Sequence, residues 1–255
     1  MSPERIDARH IERLHLLTTE PPEQLEYDGW LVRTAPHDVK RARSVNSTGA
    51  STLPLGEKIA HCERLYAEAG LPALFRLTPF STPLGLDAEL ERRGYTVLDR
   101  TLQQVARIDV REPASPAGPR FESMPLEAWL EAASSLRGQS SQARVAEYRR
   151  LSHREREAHF ALGYLGDEVV ACGLVSLEGG LATPADIYVS ESHRGQGFGR
   201  GISAQLLELA RRNGAELAWL NVLADNKPAI RTYARLGFQT LYEYWYRIKP
   251  AGRSP

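Results

Sequence analysis

Cysteine is scarce: Cys62 and Cys172 are the only two in 255 residues. Two isolated thiols make no disulfide framework, and without a Cys-x-x-Cys pair or a Cys/His cluster there is no zinc pattern. An excess of either charge is missing too, since 32 basic residues balance 32 acidic ones. Phosphate contacts supply most of a nucleic-acid binder's affinity, so a balanced chain argues against that role. No run of about 18 apolar residues occurs, which argues against a membrane span. The opening Met1-Ser2-Pro3-Glu4-Arg5 has no apolar stretch behind it to read as a signal peptide. The Gly-Lys-Ser/Thr triplet of a P-loop is also absent. What remains, at 42% hydrophobic residues, can bury one large core or two modest ones. The expected setting is soluble, reducing and cytoplasmic, with no metal, nucleic acid or membrane as partner.

The clearest break is Arg111-Glu112-Pro113-Ala114-Ser115-Pro116-Ala117-Gly118-Pro119-Arg120, rich in proline and poor in anything apolar to bury. It reads as a surface linker, dividing the chain into 1–110, a linker at 111–119, and 120–255. After it, Leu126 to Ser135 and Arg144 to His159 look helical. His159 to Leu165 and Val169 to Leu177 read as strands around the turn Gly166-Asp167, and Leu181 to Val189 as a third after Gly179-Gly180. A glycine loop then opens a helix carrying Ile202, Leu206, Leu209 and Ala210 on one face, stopped near Gly214. Leu217 to Leu223 is a strand, Lys227 to Leu236 a short helix, and Phe238 to Ile248 a final, aromatic-rich strand. The first half echoes that ending: helix Glu57 to Gly70, strand Pro72 to Leu77, helix Leu86 to Arg93, strand Thr96 to Ile108. The offset of about 143 to 145 residues throughout suggests a duplicated unit. Trp30, Arg41, Arg43 and Asn46 sit on apparent strands of that half and are read as packing and surface charge in preference to an acceptor cleft.

The loop Arg194-Gly195-Gln196-Gly197-Phe198-Gly199, with Arg200 behind it, carries the strongest chemical signal. Glycines between a strand and a helix leave backbone N–H groups unobstructed, and the helix N-terminus adds a partial positive charge. The result is an anion cradle sized for a phosphate or pyrophosphate, with Arg194 and Arg200 as full charges. Gly199-Arg200-Gly201-Ile202-Ser203-Ala204 also matches a dinucleotide fingerprint, but that fold requires further β-α-β units and too little chain follows.

A second constellation narrows the choice. Asn226, Ala229 and Tyr233 recur at helical spacing and share one face, and Gly237-Phe238 closes their helix. Asn226 can also be only a helix cap, and Tyr233 only core. Taken together, Arg194-x-x-Gly197-x-Gly199 and Asn226-x-x-Ala229-x-x-x-Tyr233-x-x-x-Gly237-Phe238 resemble the two motifs of the GNAT N-acetyltransferases, in the same order and at a similar separation. The resemblance covers roughly residues 120 to 249. The first half resembles a degenerate copy, as in tandem-GNAT proteins; in place of the loop it reads Thr52-Leu53-Pro54-Leu55-Gly56-Glu57. The resemblance implies an α/β fold with a mixed, mostly antiparallel sheet flanked by helices, present twice.

It further implies acetyl-CoA as donor and direct attack by an amine on the thioester. Backbone groups of Ile187, Tyr188 and Val189 would hold the pantetheine and orient the carbonyl. Asn226 would bond the pantetheine arm, and Tyr233 would protonate the leaving thiolate. For the base, Asp186 is the candidate, weighed equally against a solvated strand residue. Glu191 and His193 are alternatives read as surface, and a water relay is a third route. Cys172 is read as a small buried strand residue, which disfavours a cysteinyl intermediate. The acceptor is a small-molecule or peptide amine that the sequence does not name, and oligomeric state is unreadable. A non-enzymatic acyl-CoA sensor is the alternative, but it would not need the intact Asn226 to Phe238 motif.

Overall fold

The computed structural model describes residues 6–17, 21, 24–35, 39–109, 120–152 and 157–249. The linker expected at 111–119 and the opening Met1 to Arg5 lie outside the described residues. The chain divides into two compact units: Met1–Leu102 with Leu223–Asp225 and Leu241–Pro255, and Gln103–Val222 with Asn226–Thr240.

The first unit opens with helix α1 (Ala8–Leu17) and short strands β1 (Leu25–Tyr27), β2 (Trp30–Val32) and β3 (Val45–Asn46). Helix α2 (Leu55–Glu68), strand β4 (Leu74–Leu77), helix α3 (Leu86–Arg92) and strand β5 (Thr96–Arg107) follow. Ile59, Cys62 and Tyr66 recur every three or four residues along α2 and are fully buried, the stripe that anchors a helix to a sheet. Arg41 and Arg43, expected on a strand, lie instead on a 3-10 turn at Lys40–Arg43. Arg41 Nη1 donates to the Tyr244 hydroxyl at 3.0 Å. Trp30 is fully buried, with its indole N–H on Thr82 O at 2.8 Å, and Asn46 is buried as well.

The β1–β2 turn carries an unusual residue. Asp28 has φ +44, and its carboxylate accepts from the N–H groups of Thr52 and Leu53, each at 3.0 Å. It also takes the Thr52 hydroxyl at 2.7 Å and the Ser51 hydroxyl at 3.0 Å. The buried Lys58 ammonium stands 3.0 Å away. The Leu53 N–H and Thr52 hydroxyl bonds lead in holding Asp28 well below the usual carboxylate range.

The second unit contains β6 (Arg120–Met124), α4 (Leu126–Leu136), α5 (Ser141–Ser152), β7 (Glu157–Leu165), β8 (Glu168–Glu178) and β9 (Leu181–Val189). After these come α6 (Phe198–Arg212), β10 (Leu217–Leu223) and α7 (Lys227–Arg235). The helix expected to reach His159 is α5, described to Ser152, and His159 belongs to β7. From Ala158 on, alternate residues Ala158, Phe160 and Leu162 pack with Trp129, a period of two that only a strand presents. With the Gln103–Arg107 end of β5, which belongs to this unit, the strand order is β5-β10-β9-β8-β7-β6. Pairs β6–β7, β7–β8 and β8–β9 are antiparallel, while β9–β10 is parallel, so the sheet is mixed and mostly antiparallel. In α6, Ile202, Leu206, Leu207 and Ala210 are buried. The helix ends at Gly214 (φ +85), where Ala215 N–H returns to Ala210 O at 3.0 Å, a glycine-closed end.

The last strand, β11 (Gln239–Ile248), returns to the first unit. There it pairs antiparallel with β4 through Trp245–Leu77 to Ile248–Leu74, and the first unit's order is β1-β2-β3-β4-β11-β5. Tyr242, Tyr244 and Tyr246 are buried among Phe75, Leu77 and Trp30. The Tyr242 hydroxyl donates to Glu12 at 2.6 Å, and Glu12 also pairs with the buried Arg76.

Gly201 sits in α6 against the ring of Phe121, and a Cβ there would fall 2.7 Å from Phe121 Cζ. Gly201→Ala gains up to about 1 kcal/mol of helix propensity but overpacks at about 1–3 kcal/mol. A net loss of about 1 kcal/mol is expected, lowering Tm by a few degrees. Thermal unfolding checks this: Phe121→Leu should remove most of the penalty, and strictly additive effects would refute the clash.

Candidate active site

Strands β9 and β10 pair only at Leu181–Leu217 and Ala182–Ala218. Beyond those residues β9 continues to Val189 and β10 to Leu223 with no pairing between them. The sheet therefore opens beside Asp186, Ile187, Tyr188 and Val189. On its other side β9 is irregular: Leu174 faces Ala185 and Cys172 faces Tyr188, leaving Asp186 and Ile187 opposite Gly173 alone. Two residues against one is a β-bulge, and Asp186 takes φ +53 there. A Cβ on Gly173 would sit 2.8 Å from Leu206 Cδ1 and 3.2 Å from Ile187 Cγ1, so the bulge needs glycine opposite it.

The glycine loop follows directly. Gly195 has φ +77 and Gly197, the N-cap of α6, φ +90, left-handed conformations that favour glycine. The N–H groups of Gly195 to Gly199 donate to no described residue, leaving a run of open donors at a helix N-terminus. The loop is braced at its edges: Gln196 Nε2 donates to Ser192 O at 3.1 Å, and Arg194 lies over the Tyr188 ring at 5.6 Å. Phe198 is buried, while Arg194 and Arg200 are exposed. Glu191 pairs with Arg194 at 3.3 Å. His193 Nδ1 sits between the Ser190 and Ser192 hydroxyls at 2.8 and 3.0 Å. Both alternative bases are therefore engaged in shaping the loop.

Helix α7 begins at Asn226, whose Oδ1 accepts from Ala229 N–H at 3.2 Å, with Pro228 in the first turn. The cap engages Oδ1 and leaves the amide NH₂ available. Tyr233 meets the Phe238 ring edge-on at 5.7 Å, and Phe238 N–H donates to Tyr233 O at 3.0 Å. The Tyr233 hydroxyl bonds no described residue, and burial raises its pKa. Cys172 is buried in β8, and burial pushes its thiol up.

An opened parallel strand pair, a bulge at its mouth and a glycine turn at a helix N-terminus stand together in a mixed α/β fold. The chain belongs to the GNAT acetyltransferase family. The model of the acetyltransferase (GNAT) family matches residues 124–238. The uncharacterized N-acetyltransferase YobR of Bacillus subtilis (strain 168) is 32% identical over 248 residues, 95% of this chain and 99% of that protein. In fold, the chain is similar to a GCN5-related N-acetyltransferase from Kribbella flavida, with TM-score 0.70 and 22% identity over 97% of this chain and 96% of that one. It is also similar to a tandem GNAT protein from the clavulanic acid biosynthesis pathway, with TM-score 0.61 and 21% identity over 77% and 69% of the two chains. The protein is thus an acetyltransferase, of a family whose donor is acetyl-CoA.

Sequence reasoning missed Arg137, which reaches the bulge from the end of α4, and the carboxylate of Asp28. An arginine beside a helix-ending glycine and an Asp-Gly turn are the only traces either leaves in the sequence.

Proposed function

We propose that the second unit transfers the acetyl group of acetyl-CoA to an amine by direct attack, in the opening between β9 and β10. The observation that carries this reading is the loss of strand pairing beyond Ala182 and Ala218 beside the unspent N–H groups of Gly195 to Gly199. The pyrophosphate rests on those N–H groups, with Arg194 and Arg200 at the rim. The pantetheine runs along Ile187, Tyr188 and Val189 as an added strand would, and the free amide NH₂ of Asn226 donates to it. The amine nitrogen attacks the thioester carbon and passes its proton to Asp186. The C–S bond then breaks and the sulfur takes the Tyr233 hydroxyl proton, giving an amide and free coenzyme A. Burial keeps that phenol protonated until it is needed. An amine panel with acetyl-CoA, read by mass spectrometry, tests the reading; no acetylated product across small amines and peptides would overturn it. The two cysteines are free and buried, which suits a reducing, cytoplasmic setting. No helix among the described residues is long and apolar enough to cross a membrane.

Residues 120–255 are the catalytic copy and 1–110 a degenerate one. The order α2, β4, α3, β5 matches α6, β10, α7, β11, and β3–β4 is parallel as β9–β10 is. The fold likeness to a tandem GNAT protein agrees with this. The anion place at the start of α2 is already filled: Thr52 and Leu53 N–H are spent on the Asp28 carboxylate. Pro54 has no N–H to give, and Leu90, buried in α3, stands where Tyr233 does in α7. Each chain is therefore expected to bind one acetyl-CoA. Native mass spectrometry at saturating acetyl-CoA checks the number, and two per chain would refute the assignment.

A further inference from the structure

The proposed mechanism leaves Arg137, a cation largely withdrawn from solvent beside the bulge, without a task. Arg137 ends α4 with its side chain 14% exposed. Its guanidinium pairs with Glu147 at 3.0 Å and lies over Trp129 at 5.3 Å. Its Nη2 donates to the backbone oxygen of Asp186 at 2.9 Å and lies 3.5 Å from Cys172 Sγ. Withdrawing a guanidinium from water is costly unless it is paired and hydrogen-bonded, and packing α4 would be served as well by a leucine. The carbonyl that Arg137 reaches belongs to the bulge. Asp186 is held at φ +53, in the left-handed region that favours glycine, and it lies where β9 slips register against β8. A peptide group points its C=O and the following N–H in opposite directions. A bond that fixes Asp186 O therefore fixes the N–H of Ile187, the first backbone donor of the opened strand. A charged donor on that oxygen also polarises the amide and strengthens its N–H as a hydrogen-bond donor.

We propose that Arg137 is a positioning residue that, through the Asp186 carbonyl, aims and polarises the Ile187 N–H toward the acetyl carbonyl of the bound thioester. This rests on the acetyl-CoA site proposed above. Glu147 pairs with the guanidinium, the Trp129 ring packs against it, and the bulge presents the carbonyl to it. The arrangement places a full positive charge one peptide away from where negative charge grows on the thioester oxygen, without occupying the site itself.

The test uses the full chain and acetyl-CoA labelled with ¹³C at the acetyl carbonyl, so no acceptor need be known. Infrared difference spectra of the bound cofactor should show the carbonyl band at lower frequency than in water. In Arg137→Met the band should move back toward its free position while the Kd for acetyl-CoA stays within about three-fold, a separation that a general loss of structure would not give. Arg137→Gln keeps a neutral donor and should fall between the two, and it carries the same readings where the methionine variant fails to fold. With an acceptor in hand, kcat should fall about 100-fold in Arg137→Met with KM for acetyl-CoA little changed, since misaiming a catalytic group costs on that order. A band that stays at its wild-type position in the folded variants, with cofactor bound, overturns the role of Arg137 and leaves the cofactor site standing. Failure of the wild-type protein to bind acetyl-CoA overturns the site itself, and this inference with it.

Discussion

Gly199→Glu should abolish acetyl-CoA binding and leave the protein folded. The position is chosen from the backbone. Gly197 has φ +90, so any side chain there strains the turn and confuses lost folding with lost binding. Gly199 lies in the first turn of α6 with helical geometry, and a Cβ on it meets nothing closer than Val189 Cγ2 at 3.7 Å. A glutamate in the first helical turn is favourable to the helix dipole, so stability should hold. Its carboxylate would occupy the space of the pyrophosphate with the same sign of charge. Like charges brought together at a binding surface cost several kcal/mol, which corresponds to about a 1,000-fold or greater loss of affinity. Titration calorimetry decides the matter, with thermal unfolding as the control. Binding within a few-fold of wild type would remove the pyrophosphate from this loop.

Tyr233→Phe should lower kcat by about 100- to 10,000-fold, the usual cost of losing a general acid, while the Kd for acetyl-CoA barely moves. The hydroxyl makes no bond to any described residue, so its removal breaks nothing in the resting protein. Its expected partner, the thiolate, exists only as the C–S bond breaks, and an interaction made only in the transition state appears in kcat. The pH dependence has a definite sign. Burial raises this phenol above its ordinary value of 10.0, so the acid form persists through neutral and mildly alkaline pH. Any loss of activity assigned to Tyr233 should therefore appear only above that value. An unchanged kcat, with chemistry shown to be rate-limiting, would return Tyr233 to a packing role against Phe238.

The parts of the site that were legible in the sequence are those whose physics is local. The strand Leu181–Val189, the glycine turn, α6 and the capped helix α7 lie within a residue or two of expectation, because positive-φ glycines and three-to-four-residue periodicity act over one turn. The parts that were not legible depend on distant residues. Nothing around Asp186 announces a left-handed strand residue, since the bulge depends on the missing side chain at Gly173, and its carbonyl meets the guanidinium of Arg137, 49 positions earlier. Asp28 reads as an ordinary Asp-Gly turn until Thr52 and Leu53 are brought to it. Gly201 looks like one more phosphate-loop glycine, but Phe121, on a strand 80 residues earlier, gives it a packing reason. The helix expected through His159 failed because the arginine-rich stretch before it has no apolar stripe, so period alone could not mark its end.

The assignment of β11 to the first unit bears on how the chain is made. A ribosome releases the first 102 residues long before it reaches Tyr242, Tyr244 and Tyr246, which fill the core beside Phe75 and Trp30. Domains ordinarily fold in the order of synthesis, but here the first unit to emerge is the last to be completed. Until termination it exposes the edge of β4 and the apolar surface meant for three tyrosines, the kind of unpaired strand edge that invites association with other chains. A chain cut after Phe238, with the glycine loop and α7 already made, would leave the first unit without its closing strand.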